Sequence, residues 1–281
     1  MILGEKMAVK LVFTDLDGTF VDSRKRVCER NARVLERAAE LGVQFVPCTG
    51  RNASGLPAEL AGAACVRYAV CCNGASVVDV RTGEQLHAEA MDAELVARLY
   101  DAVRDLRCTF DVFIGDKSYL PRDRWEYLHE AAGGDEAMEG FFRGLRTPWD
   151  GSMDELLHLG PITKLTMLHA READKLAVRA AIDGVEGLTW TYSLPMNTEV
   201  MRVGVNKGSA LRWLCDHLGV DVADTVAFGD GDNDAEMLRA AGDGVAMGNA
   251  APEVKACADH VTSTCDEAGV AAYLEPLFAA L

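Results

Sequence analysis

Short apolar runs alternate with helical stripes near the start of the chain. Residues 10–14 form an apolar run that predicts a buried parallel strand. Residues 24–41 then place apolar side chains at helical spacing, and a second strand-like run follows at residues 43–48. After a predicted helix near residues 52–63, a third run lies at residues 68–72. This β–α–β order predicts an α/β fold with a doubly wound, Rossmann-like parallel sheet.

The pattern changes after the third run. Residues 77–87 are typical of an antiparallel hairpin, and alternating strands and helices of a different spacing follow them. The first pattern resumes at Lys207, where an amphipathic helix begins. We therefore predict an inserted α+β domain at residues 83–193, and one α/β core formed by residues 1–82 and 194–281.

Four polar clusters lie at predicted strand ends or helix starts. They are Asp15 with Asp17, Thr49 with Gly50, Lys207, and Asp230 with Asp234. A single acidic turn can be an ordinary solvated loop, and a lone lysine is usually a surface residue. However, ligands of open α/β sheets bind at the carboxyl ends of the strands, so the four clusters together indicate a site. Carboxylates held this close repel each other and favour a cation such as Mg²⁺.

Phosphoryl transfer requires these groups. An aspartate can attack phosphorus and form an aspartyl-phosphate, which divides one difficult step into two. A second carboxyl group can protonate the leaving oxygen and then activate water. A metal neutralises the acids and the phosphate, while a hydroxyl, backbone amides and a lysine hold the phosphoryl oxygens.

The motifs resemble those of the haloacid dehalogenase (HAD) superfamily of phosphohydrolases, in its Cof-type subgroup with a large α/β cap. The resemblance covers nearly all of residues 9–275. It rests on the sequences DLDGT at 15–19, TGR at 49–51, NGA at 73–75, NKG at 206–208, GDGDND at 229–234 and GVAMGNA at 244–250. The combination of the first and fifth motifs is highly specific.

The resemblance implies a role for each site residue. Asp15 would be the nucleophile and a Mg²⁺ ligand, and Asp17 the general acid/base, with its backbone carbonyl on the metal. Asp230 would bind Mg²⁺ directly, while Asp234 would act through metal-bound water or orient Lys207. Phosphate-binding residues would be Thr49, Gly50, Lys207 and Asn233. Arg51 would reach the substrate phosphate or pair with a cap carboxylate.

The composition and charge of the chain limit the kinds of molecule that it is expected to bind. The net charge of −16 disfavours a broad nucleic-acid interface, and no apolar run approaches a bilayer span. Residues 1–9 are expected to be a short tail without the apolar core of a signal peptide. Nine cysteines without a C-x-x-C pair are typical of a reducing cytosol, so we expect a cytoplasmic protein. The partner is then a small phosphorylated metabolite, and oligomeric state stays open.

Two competing motif interpretations fail. Residues 230–234 imitate the start of a calcium-binding loop, but Ala235 and Ala241 occupy positions that require glycine and glutamate. The glycines at 242, 244 and 248 do not form G-x-G-x-x-G after a first strand, so dinucleotide binding is not supported.

The inserted domain is expected to act as a cap on two linkers, near residues 80–84 and 194–198, where Pro195 and Asn197 fit a turn. Cap residues would select the leaving group of the substrate. The candidates are Asp116, Tyr119, Arg122, Trp125 and Lys164. Lys164 is equally consistent with an ordinary strand lysine.

The predicted function is Mg²⁺-dependent hydrolysis of a small phosphomonoester, a sugar phosphate or a related metabolite. A phosphosugar mutase of the same superfamily is the alternative enzyme. A phosphoaccepting or binding module without turnover is the alternative from another class. Receiver modules, however, are near 120 residues and carry their nucleophile on a later strand.

Overall fold

The computed structural model describes residues 9–281. Residues 1–8, which include most of the predicted tail, lie outside the described residues. The chain divides into two compact units, one comprising residues up to His87 together with Asn206–Leu281, and the other comprising Ala88–Val205.

Both units combine helices with strands. The strands are β1 Leu11–Thr14, β2 Gln44–Pro47, β3 Tyr68–Cys71, β4 Ser76–Asp79, β5 Gln85–Ala88, β6 Asp111–Ile114, β7 Lys117–Pro121, β8 Thr147–Trp149, β9 Ile162–Leu168, β10 Leu188–Thr191, β11 Asn197–Arg202, β12 Thr225–Gly229, β13 Asp243–Ala246 and β14 His260–Val261. The helices are α1 Glu29–Leu41, α2 Ala58–Ala61, α3 Ala93–Val103, α4 Tyr127–Ala131, α5 Glu136–Gly144, α6 Met153–Leu157, α7 Glu172–Asp183, α8 Lys207–Leu218, α9 Ala235–Ala240, α10 Pro252–Lys255 and α11 Gly269–Phe278. No helix within residues 9–281 combines the length and apolar composition that a bilayer span needs.

The first unit is built on a five-stranded sheet in the order β14-β13-β12-β1-β2, and all of its pairings are parallel. Strand β1 lies between the edge strand β2 and the central strand β12, which comes from the far end of the chain. Residue Leu11 pairs with both Gln44 and Thr225. The parallel α/β sheet predicted from the sequence is confirmed, and its register brings three strand ends to one edge.

Side chains of β1 alternate between two hydrophobic layers, one on each face of the sheet. Val12 packs with Phe45 and Phe228 in a layer that also includes α1 and α11. Leu11 and Phe13 pack in the other layer, which is covered by α8 and α9. A strand buried on both faces needs apolar residues at every position, which explains the continuous apolar run in the sequence.

A small antiparallel sheet, in the order β3-β4-β5, completes the first unit. The predicted hairpin is present as β4 and β5, and Gln85 Nε2 donates a 2.8 Å hydrogen bond to Ser76 Oγ across it. The predicted start of the inserted domain at residue 83 is therefore too early. β5 belongs to this sheet, and the second unit begins only at its last residue, Ala88.

The second unit contains a six-stranded sheet in the order β10-β11-β9-β6-β7-β8. Only β7 and β8 pair in parallel, so this unit is the predicted α+β domain. Helices α3, α6 and α7 cover one face of the sheet. Among their buried residues are Val96, Leu99, Leu156 and Val178, which share a core with Leu165 of β9.

The predicted second boundary and linker, at residues 194–198, are wrong. Asn197 Oδ1 accepts hydrogen bonds from the backbone N–H groups of Ser193 and Leu194, and the resulting turn joins β10 to β11 inside the second unit. β11 then pairs with β9, so the unit continues to Val205. The strand was missed because its first three residues, Asn197–Glu199, are polar and only Val200 and Met201 are apolar, so it has neither a continuous apolar run nor a regular alternation.

A buried histidine follows β9. His169 is 1% exposed, and its Nε2 lies 3.0 Å from Thr198 Oγ1. Burial, aided by the positive charge of Arg179, lowers the pKa of His169 to about 4. His169 is therefore uncharged in the folded second unit at neutral pH.

Candidate active site

The carboxylates of Asp15, Asp230 and Asp234 meet at the carboxyl edge of the parallel sheet. Asp15 directly follows β1 and Asp230 directly follows β12, and Asp15 N–H donates to Phe228 O over 2.9 Å. One oxygen from each of the three carboxylates lies within 4.8 Å of the others. The structure thus brings together three of the predicted residues from opposite ends of the chain.

Lys207 lies among these carboxylates. Its Nζ donates to Asp15 Oδ1 and to Asp234 Oδ1, each over 2.6 Å, and the side chain is fully buried. Lys207 is the first residue of α8, whose start is fixed by reciprocal hydrogen bonds between Asn206 and Ser209. Burial by itself lowers the pKa of Lys207, but the two carboxylates outweigh it, so the pKa is raised and the ammonium is retained.

The acidic groups remain in excess over this one lysine. Burial raises the pKa of Asp15 to about 8, with Lys207 opposing the shift and Asp234 and Asp230 adding to it. Burial and then the charge of Asp234 raise the pKa of Asp230 to about 6. The cluster is therefore an environment in which a further positive charge would be stabilised.

This donor set fits Mg²⁺. The ion prefers oxygen ligands and is usually bound through one or two carboxylates together with waters and substrate phosphates. Asp15 and Asp230 supply such carboxylates, and Asp230 is partly exposed, whereas Asp234 is fully buried and is held by Lys207 and by backbone N–H groups. Asp234 Oδ1 accepts from Lys207, and Asp234 Oδ2 accepts from the N–H groups of Asp230 and Gly231. This geometry favours the predicted alternative in which Asp234 orients Lys207.

Three residues that the sequence did not single out hold Asp230 in place. Thr19 Oγ1 donates to Asp230 Oδ1 over 2.9 Å, and Asn249 Nδ2 donates to Asp230 Oδ2 over 3.0 Å. Gly18, at φ +89°, allows close approach, because a Cβ atom there would lie 2.4 Å from Asp230 Oδ2. Their positions within the DLDGT and GVAMGNA motifs were the available signal.

Asp17 has a different environment from Asp15. Arg51 donates to both of its carboxylate oxygens, over 2.6 and 3.0 Å, and Lys25 Nζ donates to Oδ1 over 2.8 Å. Burial raises the pKa of Asp17, but the hydrogen bond from Lys25 and the charge of Arg51 outweigh it and lower the pKa below its ordinary value. Arg51 therefore pairs with Asp17 within the first unit.

The remaining predicted residues lie on neighbouring loops. Thr49 is buried just after β2, and its Oγ1 accepts from Arg51 N–H over 3.1 Å; Gly50 lies between them. Asn233 belongs to the turn after Asp230, where its Nδ2 donates to Asn73 Oδ1 over 3.2 Å. Because β1 and β2 are parallel neighbours, Thr49 lies at the same edge of the sheet as Asp15.

All five candidate cap residues belong to the second unit: Asp116, Tyr119, Arg122, Trp125 and Lys164. Lys164 is 3% exposed, 3.4 Å from Glu199 Oε2 and 4.3 Å from the centre of the Phe113 ring. It is therefore not an ordinary exposed strand lysine. Arg122, by contrast, forms an exposed ion pair with Asp150.

Comparison with known proteins identifies the family. Residues 12–274 match the family of haloacid dehalogenase-like hydrolases, and the chain belongs to it. The chain is 31% identical over 294 residues to the phosphatase YwpJ of Bacillus subtilis, covering 96% of this chain and all of that protein. It is 29% identical over 271 residues to the HMP-PP phosphatase of Escherichia coli O6:H1, covering 94% of each chain.

A solved structure supports the same assignment. The phosphatase BT1666 of Bacteroides thetaiotaomicron, a member of the HAD superfamily, has a TM-score of 0.81 and 27% identity, covering 99% of this chain and 97% of that one. The predicted fold class and Cof-type resemblance are confirmed. The protein is a HAD-family phosphatase, a hydrolase of phosphoric monoesters.

Proposed function

We propose that this phosphatase hydrolyses small phosphomonoesters in a Mg²⁺-dependent reaction through an aspartyl-phosphate on Asp15. The observation that carries the proposal is the position of Lys207, buried between Asp15 and Asp234 and beside Asp230. Asp15 and Asp230 would hold the Mg²⁺, together with the backbone carbonyl of Asp17. Bound there, the ion would neutralise the acids and the phosphate charge.

The proposed reaction assigns each step to a residue. Lys207 holds Asp15 Oδ1, and Asp15 Oδ2 attacks phosphorus as the bond from phosphorus to the leaving oxygen breaks. Asp17 gives a proton to that oxygen, which leaves as an alcohol. Asp17 then takes a proton from water, whose oxygen attacks the aspartyl-phosphate, releasing inorganic phosphate and restoring Asp15. Thr49 and Asn233 are proposed to hold the phosphoryl oxygens.

The ion pairs of Asp17 bear on this sequence of steps. Lys25 and Arg51 favour the ionised carboxylate, which suits the step in which Asp17 accepts a proton. To donate a proton in the first step, Asp17 has to be protonated and its pairs with Lys25 and Arg51 weakened. Arrival of a phosphate dianion, which competes for Arg51, would have this effect.

Phosphate release from a panel of phosphorylated metabolites tests the proposal. The panel contains sugar phosphates, the predicted class, and HMP-PP, for which one relative is named. Turnover should require Mg²⁺ and be lost in EDTA, and Asp15→Asn should lower it by several orders of magnitude. Asp216→Asn, on an exposed position of α8, is the matched control and should retain turnover. Near-normal turnover in Asp15→Asn would contradict the mechanism, and phosphate transfer to another hydroxyl without release would identify a mutase.

We also propose that the second unit is the cap that selects the leaving group. The buried pair of Lys164 and Glu199 supports this, because a buried ion pair adds little net stability and its presence is better explained by a role in recognition. Lys164→Met should then change the ranking of substrates by kcat/KM, with hydrolysis of the poorest substrates least affected. An equal reduction for every substrate would contradict a role in selection.

A further inference from the structure

The turn formed by residues 72–74 has a strained backbone in the first unit. Cys72, Asn73 and Gly74 have φ values of 52°, 55° and 102°. The left-handed region is tolerated by glycine and asparagine, but it costs of order 1 kcal/mol or more for a residue such as cysteine. Such strain persists only where the surrounding structure over-determines it, so its neighbours are informative.

The turn contacts three segments that carry predicted site residues. The N–H groups of Cys72 and Asn73 donate to the carbonyl oxygens of Arg51 and Thr49, each over 3.0 Å. Asn73 Oδ1 accepts from Asn233 Nδ2 over 3.2 Å. These bonds fix the turn to the loop after β2 and to the loop after β12.

The third contact is with the start of α8. A Cβ atom on Gly74 would lie 2.2 Å from Asn206 O and 3.1 Å from Lys207 N. Only glycine permits this approach, and it places the turn against the residue whose side chain caps the helix. The turn therefore lies against the backbone that carries Lys207.

The Asn73 carboxamide determines which end of Asn233 is presented to the site. Asn233 Nδ2 carries two hydrogens, and Asn73 Oδ1 accepts one of them. The second hydrogen can then donate to a phosphoryl oxygen. If the Asn233 carboxamide turned over, its oxygen would face the phosphate and repel it.

We propose that Asn73 is a positioning residue, which orients the Asn233 carboxamide as a hydrogen-bond donor to the phosphate. The inference rests on the proposed function, in which Asn233 contacts phosphate. A single neutral hydrogen bond of this kind contributes about 1 kcal/mol, which corresponds to roughly a fivefold to tenfold change in affinity.

One substitution at Asn73 and one at Cys72 separate the side chain from the backbone. Asn73→Gly tolerates the positive φ but removes the acceptor, whereas Cys72→Gly keeps the acceptor and should stay within about threefold of the wild type. We expect Asn73→Gly to raise KM and the inhibition constant of inorganic phosphate about fivefold to tenfold, with little change in kcat, because the contact exists in ground and transition states alike. Cys72→Gly is the control, since it relaxes the same turn and leaves Asn73 in place.

A double-mutant cycle tests the coupling. Asn73→Gly combined with Asn233→Ala should bind phosphate no more weakly than Asn233→Ala alone, because Asn73 acts only through Asn233. Additive losses would overturn the proposal, as would equal losses in Asn73→Gly and Cys72→Gly. Thermal melts are used to check that each variant is folded.

Titration calorimetry of inorganic phosphate binding in the presence of Mg²⁺ tests the role of Asn73 independently of turnover. If the wild type releases no more phosphate than Asp15→Asn, the proposed function fails, and the calorimetric comparison still reports on Asn73. Weaker binding in Asn73→Gly but not in Cys72→Gly supports the inference. Equal binding in all variants, or no phosphate binding by the wild type, overturns it.

Discussion

Replacement of Lys207 by methionine tests how the acidic cluster is stabilised. Methionine keeps much of the volume and the flexibility of the lysine side chain but removes both 2.6 Å hydrogen bonds, to Asp15 and to Asp234. It leaves three carboxylates at the edge of the sheet without their buried lysine. The perturbation is therefore electrostatic, with little change in packing.

The expected magnitude follows from burial. Removing one partner of a buried ion pair typically costs about 3–5 kcal/mol, because the remaining charge is left uncompensated. For a protein of this size, each kcal/mol corresponds to about 2–4 °C in Tm. Lys207→Met should thus lower the free energy of unfolding by about 3 kcal/mol or more, and Tm by about 10 °C.

Lys10→Met is the matched control. Lys10 also forms a 2.6 Å ion pair, with Asp224, but the lysine side chain is 54% exposed. Exposed pairs of the same geometry contribute about 0–1 kcal/mol, because solvent screens them. The two variants therefore remove the same chemical group from pairs of equal length but unequal burial.

Both variants are compared with the wild type by calorimetric unfolding at pH 7 in EDTA, so that no metal contributes. The reasoning predicts a clear loss for Lys207→Met and almost none for Lys10→Met. Losses below about 1 kcal/mol for both variants would refute it, since burial would then not determine the contribution of the pair. Circular dichroism is used to check that each variant retains its secondary structure.

Three further predictions concern other parts of the protein. In the wild type, Mg²⁺ at a hundred times its dissociation constant should raise the free energy of unfolding by about 2.7 kcal/mol, and Asp230→Asn should abolish most of this effect in the same melts. Gly18→Ala should strongly lower kcat/KM in steady-state assays, because the added Cβ would displace Asp230. Gly42→Ala is the control: Gly42 also has a positive φ (72°), but an added Cβ there would have no atom within 4 Å. This control should cost about 1 kcal/mol of stability and leave kcat/KM unchanged. His169 has a folded-state pKa of about 4, below its unfolded value near 6.5, so the unfolded chain binds more protons between these values. Stability should therefore fall as pH drops from about 6.5 to 4, by at most about 1.4 kcal/mol per pH unit, and His169→Asn should flatten this part of a urea-unfolding pH series; an unchanged slope would count against the assignment.

Much of the candidate site was predictable because its signals are local. Asp15 and Asp230 each follow a short apolar run, and parallel strands that are buried on both faces have such runs. Lys207 stands directly at the start of an amphipathic helix, where Asn206 is a favourable capping residue. Each of these features depends on a few neighbouring residues, so sequence alone indicates them.

The missed features depend on contacts between distant or polar segments. β11 has no continuous apolar run, and Asn197, predicted to lie in a linker, instead closes a turn within the second unit. Lys25 pairs with Asp17 from an exposed turn, and no local pattern distinguishes it from other surface lysines. Asn249 reaches Asp230 from a loop that carries no charge.

The sequence by itself determined the alternation of strands and helices in the first unit, the polar residues at their ends and the resemblance to HAD phosphatases. These follow from periodicity and from short motifs, which the local chemistry of the chain dictates. Only the tertiary structure decided which atoms meet: Lys207 contacts Asp15 across 192 residues of sequence, and Arg51 takes Asp17 as its partner. The reason is physical, because the register of β12 and β2 against β1 and the packing of α8 set these distances, and no local signal encodes them. The two acidic residues of the first motif are thereby separated in environment, with Asp15 beside Lys207 and Asp17 held by Arg51 and Lys25.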